Sequence, residues 1–105
     1  MNKSDKLGTF RSQEWGTVAV YRTTYADGAL AVVLESDDDG EPLAKLSVNL
    51  SDSLDLPLDC FYVKDWSENM QLATEALKSG LFILRAGIPS AHIGSIVADV
   101  WQIKE

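Results

Sequence analysis

Sixteen carboxylates, one thiol and one imidazole are the groups of this chain that could carry chemistry. The most site-like spacing among them is Glu35-x-Asp37-x-Asp39-Gly40. It places oxygens at the first, third and fifth positions of a calcium loop, with glycine at the sixth. The pattern then stops: the twelfth position, where a bidentate Glu belongs, is Leu46, and Pro42 interrupts the loop. A solvated acidic turn is expected there, without a metal. Cys60 and His92 could pair as a nucleophile and its base, but that chemistry needs an activated thiolate and an oxyanion donor. Cys60 instead sits beside Phe61 in an apolar stretch, where a buried, inert thiol is the usual outcome. His92 follows the Pro89 loop and is expected at the surface. One Cys and one His cannot build a four-ligand zinc site, and no glycines have phosphate-loop spacing. Carboxylate pairs are plentiful, yet a catalytic pair needs desolvation to separate its pKa values. The reading is therefore non-enzymatic, with no cofactor.

The acids are unevenly placed. Glu35, Asp37, Asp38, Asp39, Glu41, Asp52, Asp55, Asp59, Asp65 and Glu68 face only Lys45 and Lys64 in the same segment, for a local charge of −8. The remainder carries +1, and the whole chain −7. A one-sided negative field favours a basic partner and repels nucleic acid. Direct duplex binding would need clustered Lys and Arg, and no such cluster occurs. Trp15, Tyr21, Tyr25, Phe61, Tyr62, Trp66 and Trp101 are numerous for so short a chain. Any of them exposed beside the acids would serve as an interface anchor.

These groups must be positioned by a small fold. A chain of 105 residues reads as one domain over 1–105, with 1–8 a frayed lead-in. Such a chain buries roughly two-thirds of its unfolded surface, enough for a core without staples. A single cysteine excludes an internal disulfide and fits a reducing compartment. No apolar run approaches the ~18 residues of a membrane span. The polar start Met1–Lys6 leads into no signal-peptide core. A cytoplasmic protein is expected.

Glu14–Thr24 alternates with period two and is rich in aromatic and β-branched residues, which predicts a strand. Ala26-Asp27-Gly28 is a turn, Ala29–Leu34 a second strand, and Ser36–Pro42 a longer charged turn. Leu43–Leu50 alternates again, completing a meander. Ser51–Asp59 interleaves leucines with acids around Pro57 and predicts a loop or edge crossover. Cys60–Val63 predicts a short strand. Asp65 with Glu68 three residues on marks a helix start, and Trp66, Met70, Ala73 and Leu77 share its inner face until Gly80 stops it. Leu81–Ala86 and Ser95–Ile103 complete the set as strands; a helix is the alternative for the latter, whose β-branched content favours a strand. The fold class is α+β: an antiparallel sheet of five or six strands with one helix packed on one face.

The segments Thr24-Tyr25-Ala26-Asp27-Gly28-Ala29-Leu30-Ala31-Val32-Val33-Leu34 and Gly40-Glu41-Pro42-Leu43-Ala44-Lys45-Leu46-Ser47-Val48-Asn49-Leu50 resemble the uncharacterised family numbered 4313 among the domains of unknown function. The Gly-Glu-Pro turn with its Leu-Ser-Val-Asn-Leu strand is the most specific part. The resemblance extends loosely through Phe61–Gly80, and the C-terminal third departs from it. These are small proteins of bacteria, phages and mobile elements. The resemblance brings no catalytic residues. It implies a setting in which small acidic proteins neutralise host defence systems.

Together these readings give a binding protein that blocks a basic surface on a nucleic-acid-binding defence protein, of the CRISPR or restriction type. A rigid array of carboxylates would stand where phosphates bind. The expected partner-binding residues are Asp37, Asp38, Asp39 and Glu41 at the hairpin tip, with Asp52, Asp55 and Asp59 in the following loop. The alternative is an assembly module that homodimerises through a strand edge, with Ser95–Ile103 the candidate edge.

Overall fold

A computed structural model describes residues 5–104. The radius of gyration is 13.0 Å, the value of a well-packed chain of this length. The expected α+β class with antiparallel pairing holds. The single sheet of five or six strands does not: two four-stranded sheets and a separate hairpin replace it.

The first sheet is a meander of β1 (Asp5–Ser12), β2 (Gly16–Thr24), β3 (Leu30–Ser36) and β4 (Pro42–Lys45). The frayed lead-in expected over 1–8 does not hold for 5–8, because Asp5–Gly8 already pairs with Val20–Arg22 across a register shift. Residues 1–4 of that lead-in lie outside the described residues. The second sheet has the order β5 (Ser47–Val48), β6 (Cys60–Val63), β10 (Val100–Ile103) and β7 (Phe82–Leu84). A third pairing, β8 (Ala91–Ile93) with β9 (Ile96–Ala98), forms a hairpin of its own.

Two stretches of unbroken alternation are each divided between sheets. Leu43–Leu50 breaks at Leu46, which is fully buried. Its N–H donates to the Val32 carbonyl at 2.9 Å, and its carbonyl accepts from the Lys64 N–H at 2.7 Å. Leu46 thus bonds to both sheets and turns the chain from one into the other. Ser47 supports the bend: its Oγ accepts the Val32 N–H at 3.0 Å and lies 2.8 Å from the Tyr25 hydroxyl. Ser95–Ile103 breaks at Asp99, whose Oδ1 accepts from Ser90 Oγ at 2.8 Å. Its second half, β10, lies between β6 and β7. Both of its edges are paired, so it is not the free edge expected of a dimer strand.

Alternate residues of the second sheet face different cores. Phe61, Val63, Phe82, Trp101 and Ile103 join Phe10, Val18, Val20, Val32 and Leu34 of the first sheet in the main core. Phe61 meets Phe82 and Trp101 edge-on, at centroid distances of 5.6 and 6.3 Å. Cys60, Tyr62 and Val100 face the other way, onto a smaller cluster with Ala98 from the base of the hairpin.

The helix differs from the sequence reading at its start. A 3-10 turn, Ser67–Asn69, precedes α1 (Met70–Lys78). Asp65 is not the cap: Asn69 occupies that position, and Glu68 bonds to Lys64 at 3.0 Å. Asn69 is buried because its Nδ2 donates to the carbonyls of Lys45 (2.8 Å) and Lys64 (3.1 Å), tying the helix to the bend at Leu46. The tighter turn shifts the phase of the helix. Ala73 is buried as expected and Leu77 packs on the core, but Met70, expected inward, is 60% exposed, and Leu72 is buried in its stead, with Ala76 beside it. Gly80, at φ 86°, ends the helix as expected. α1 packs against both β1 and β7, on the main core.

Candidate functional site

The β3–β4 turn is a rigid acidic tip. Its backbone closes through Gly40 N–H to Ser36 O and Ser36 N–H to Glu41 O, both at 2.8 Å. Asp39 Oδ1 accepts the Glu41 N–H at 3.0 Å, an Asx-type contact that fixes the turn from within. Gly40, at φ 74°, takes the left-handed conformation that the turn requires. Asp37, Asp38, Asp39 and Glu41 are all exposed. Asp37 pairs with Lys6 at 3.0 Å, and that hydrogen bond and charge raise the Lys6 pKa. Asp38, Asp39 and Glu41 have no ion pair among the described residues.

A tryptophan shares this end of the sheet. Asp37 N–H donates to Thr17 O at 3.0 Å, which places the acidic tip beside the turn between β1 and β2. Trp15 lies in that turn, two residues before Thr17, and is 48% exposed. Its N–H is held by Ser12 Oγ at 3.2 Å. An aromatic anchor next to fixed anions is what a desolvated interface core needs.

Asp52, Asp55 and Asp59 lie elsewhere. The loop after β5 carries a 3-10 turn at Ser53–Asp55, pinned where Leu50 N–H donates to Ser53 Oγ at 2.8 Å. Between this loop and the closed end of the β2–β3 hairpin runs a cleft of about 320 Å³. Arg22, Leu30, Leu54, Leu56, Leu58 and Asp59 are among the residues lining it. Asp59 is turned inward and paired with Arg22 at 2.9 Å, whereas Asp52 and Asp55 are exposed. The Tyr62 pKa is raised by burial first and then by the charges of Asp52 and Asp55.

The structure therefore separates the seven expected residues. The tip adjoins the Val18–Ser36 end of the β2–β3 ladder, and the loop adjoins the Thr24–Leu30 end. Six residue steps at the rise of a strand put these ends roughly 20 Å apart. The acids form two patches, each with its own apolar companion.

Sequence reasoning named the acids and missed the leucines. Leu58 is 84% exposed and Leu54 60%. The signal was legible: three leucines at alternate positions, in a segment that Pro57 and the acids keep out of any strand, cannot all turn inward.

Cys60 and His92 do not share a site. Cys60 is buried, and burial pushes its thiol up, against a smaller lowering effect of Arg85. A thiolate nucleophile needs the opposite shift. Ala91 packs on the cluster that contains Cys60. His92, its neighbour on β8, is exposed and points to the opposite face. No group of three or more His, Cys, Asp or Glu is arranged to hold a metal ion among the described residues. Nor is any helix of those residues long and apolar enough to cross a membrane.

The chain matches no protein-family model, no curated protein and no solved structure.

Proposed function

We propose that this chain is a non-enzymatic acidic binding protein that occupies a basic surface of a nucleic-acid-binding protein. The observation that carries the reading is the acidic tip, where Asp38, Asp39 and Glu41, with no ion pair among the described residues, stand on a fixed turn at the same end of the sheet as exposed Trp15. Carboxylates ordered before binding lose little conformational freedom when they meet Lys and Arg, and Trp15 adds apolar contact that anions alone lack. The partner class comes from the resemblance of the meander to small proteins of mobile elements. On that basis the target is a host defence nuclease of the CRISPR or restriction type, its nucleic-acid channel blocked by carboxylates in place of phosphates.

The test uses Asp38→Lys with Glu41→Lys, because neither side chain holds the turn, and Trp15→Ala separately. Capture of a host nuclease at low salt, lost at high salt and in both variants, is the expected result. Retention by the charge-reversed variant would remove the electrostatic mechanism.

A second reading, an assembly module, draws on the β8–β9 hairpin, which exposes Ile93, Ile96 and Val97 and pairs with neither large sheet. Sedimentation at several concentrations tests it: Val97→Lys should abolish any association, and a monomer at all concentrations would end it.

A further inference from the structure

The loop that carries Trp15 is tied to the rest of the molecule by one acid of the helix. It comprises Gln13, Glu14 and Trp15, between β1 and β2, and the pair Ser12 with Gly16 closes it. The Trp15 ring joins neither core cluster, so packing does not set where it stands. The loop backbone does, and each of its three N–H groups donates to a side chain. Those of Glu14 and Trp15 donate to Ser12 Oγ at 3.3 and 3.2 Å. That of Gln13 donates to Glu75 Oε2 on α1 at 2.9 Å, across 62 residues of sequence. Among the described residues this is the one hydrogen bond from the loop to a different element.

Glu75 is itself fixed. Leu72, Ala73 and Ala76 seat α1 on the main core, and Gln71 Nε2 donates to the same Glu75 oxygen at 3.3 Å. Burial raises the Glu75 carboxyl, but the Gln13 N–H, the Ser12 hydroxyl and Gln71 outweigh it, with a smaller lowering effect of the Lys78 charge. The other charged groups lining the same groove are Glu14 from the loop and Glu68 from the 3-10 turn. An N–H donated to a carboxylate makes a stronger bond than one donated to a neutral oxygen, so ionised Glu75 is the better anchor.

We infer that Glu75 is a positioning residue for the partner surface: from α1 it holds the Gln13 amide, and with it the loop that presents Trp15 at the tip's end of the sheet. The inference rests on the reading of Trp15 as an interface anchor and adds to it a residue that acts through the loop rather than by contact. A ring carried on a loop fixed at the Gln13, Glu14 and Trp15 amides loses little freedom on docking. A loop released at Gln13 must be ordered at the moment of binding, and that entropy is taken from the affinity. The tip itself does not depend on Glu75, because its turn closes through its own Ser36, Asp39 and Glu41 bonds.

The first measurement needs no partner. NMR relaxation reads the order of the Trp15 indole and of the Gln13, Glu14 and Trp15 amides, with Val20 in β2 as the reference. Glu75→Ala is expected to lower the order of the loop and to speed exchange of the Gln13 amide roughly tenfold or more, with Val20 unchanged. Glu75→Gln removes the same charge but keeps an oxygen for the Gln13 N–H, and its loop should stay close to the parent. In the parent the loop should loosen as pH falls below the ordinary glutamate value of 4.5, and Glu75→Gln should lack that step. The second measurement is binding of a fluorescent oligo-arginine peptide, whose guanidinium groups pair with carboxylates and stack on tryptophan. Glu75→Ala should weaken it about threefold more than Glu75→Gln does, and in a Trp15→Ala background the two should bind alike. Unchanged loop order in Glu75→Ala, loosening that extends equally to Val20, equal weakening by Glu75→Gln, or a difference that survives in the Trp15→Ala background would overturn the inference. Trp15→Ala binding the peptide as the parent does would overturn the anchor and this inference together. Weakening by Trp15→Ala, with an unchanged loop in Glu75→Ala, would overturn the inference alone and leave the proposed function standing.

Discussion

Arg22 Nη2 lies 2.9 Å from Asp59 Oδ1 at the edge of the cleft, with the two side chains 31% and 14% exposed. This pair clamps the leucine loop to β2, and the Asp59 carbonyl also accepts the Ile103 N–H at 2.9 Å. One of the seven carboxylates expected to meet a partner is therefore a structural group.

Asp59→Ala should accordingly destabilise the fold by about 1–2 kcal/mol, between the small worth of a surface pair and the larger loss from a fully buried one. Asp38→Ala should change stability by no more than about 0.5 kcal/mol, since no contact is lost. Urea unfolding of both variants measures the difference. Equal midpoints would mean that the Arg22–Asp59 pair does not hold the loop.

Asn69 is the other polar group on which the architecture depends. Asn69→Leu removes the donor to two backbone carbonyls, that of Lys45 just before the bend at Leu46 and that of Lys64, whose N–H bonds to the Leu46 carbonyl. The expected cost is about 2–3 kcal/mol, that of leaving buried acceptors unsatisfied. Asn69→Asp should cost at least as much, because it sets a carboxylate against those carbonyls. Thermal unfolding at neutral pH reads both. A stable Asn69→Leu would show that water reaches the carbonyls.

Local chemistry explains which parts of this fold the sequence made legible. The Asp27-Gly28 turn was readable because Asp27 Oδ1 accepts the Ala29 N–H within the turn itself, at 3.0 Å. Cys60–Val63 and the stop at Gly80 were equally local. The breaks at Leu46 and Asp99 were not, because alternation continues through a residue that changes sheets, and only the distant partners Val32 and Lys64 reveal the change. β1 was missed because Asp5, Lys6 and Gly8 are poor strand formers whose conformation comes from pairing with β2. The β8–β9 hairpin did carry a signal in Gly94-Ser95, a two-residue loop with positive φ at the glycine. At the candidate site the acids were legible as types. Their division into two patches was not, since it follows from the β2–β3 register.

Asp65 offers a test of electrostatic strain. Burial raises its carboxyl above the ordinary 3.8, and the like charge of Asp99 raises it further. A raised acid favours the folded state when protonated, and that contribution is lost as pH rises through the folded pKa. Asp65→Asn should therefore raise the Tm near pH 7, and the gain should vanish in acid below the ordinary aspartate range. Glu75 works in the opposite sense. Burial alone would raise it, but the N–H of Gln13, at 2.9 Å, and other hydrogen bonds outweigh burial and leave it lowered. Its contribution is present at neutral pH and disappears on acidification, so Glu75→Gln should narrow the gap between neutral and acid stability. A Tm difference for Asp65→Asn that is independent of pH would mean that packing, not charge, is responsible.

The β8–β9 hairpin should be the least stable paired element. It makes three cross-strand pairs, Ala91 with Ala98, His92 with Val97 and Ile93 with Ile96, and joins no further strand. Two strands alone are marginal in water, and only the Ala91 and Ala98 end packs on a core. The Ile93 and Ile96 amides, which flank the turn, should exchange hydrogen roughly a hundredfold or more faster than those of Val20 in β2, which is paired on both sides. Native-state exchange followed by NMR resolves these amides. Opening of this kind would leave the second sheet intact, because Asp99 separates β9 from β10 and the Val63 N–H bonds to the Asp99 carbonyl at 2.9 Å. Protection at Ile93 equal to that at Val20 would require a cover over Ile93, Ile96 and Val97, and dilution would then distinguish a second copy from the body of the same chain.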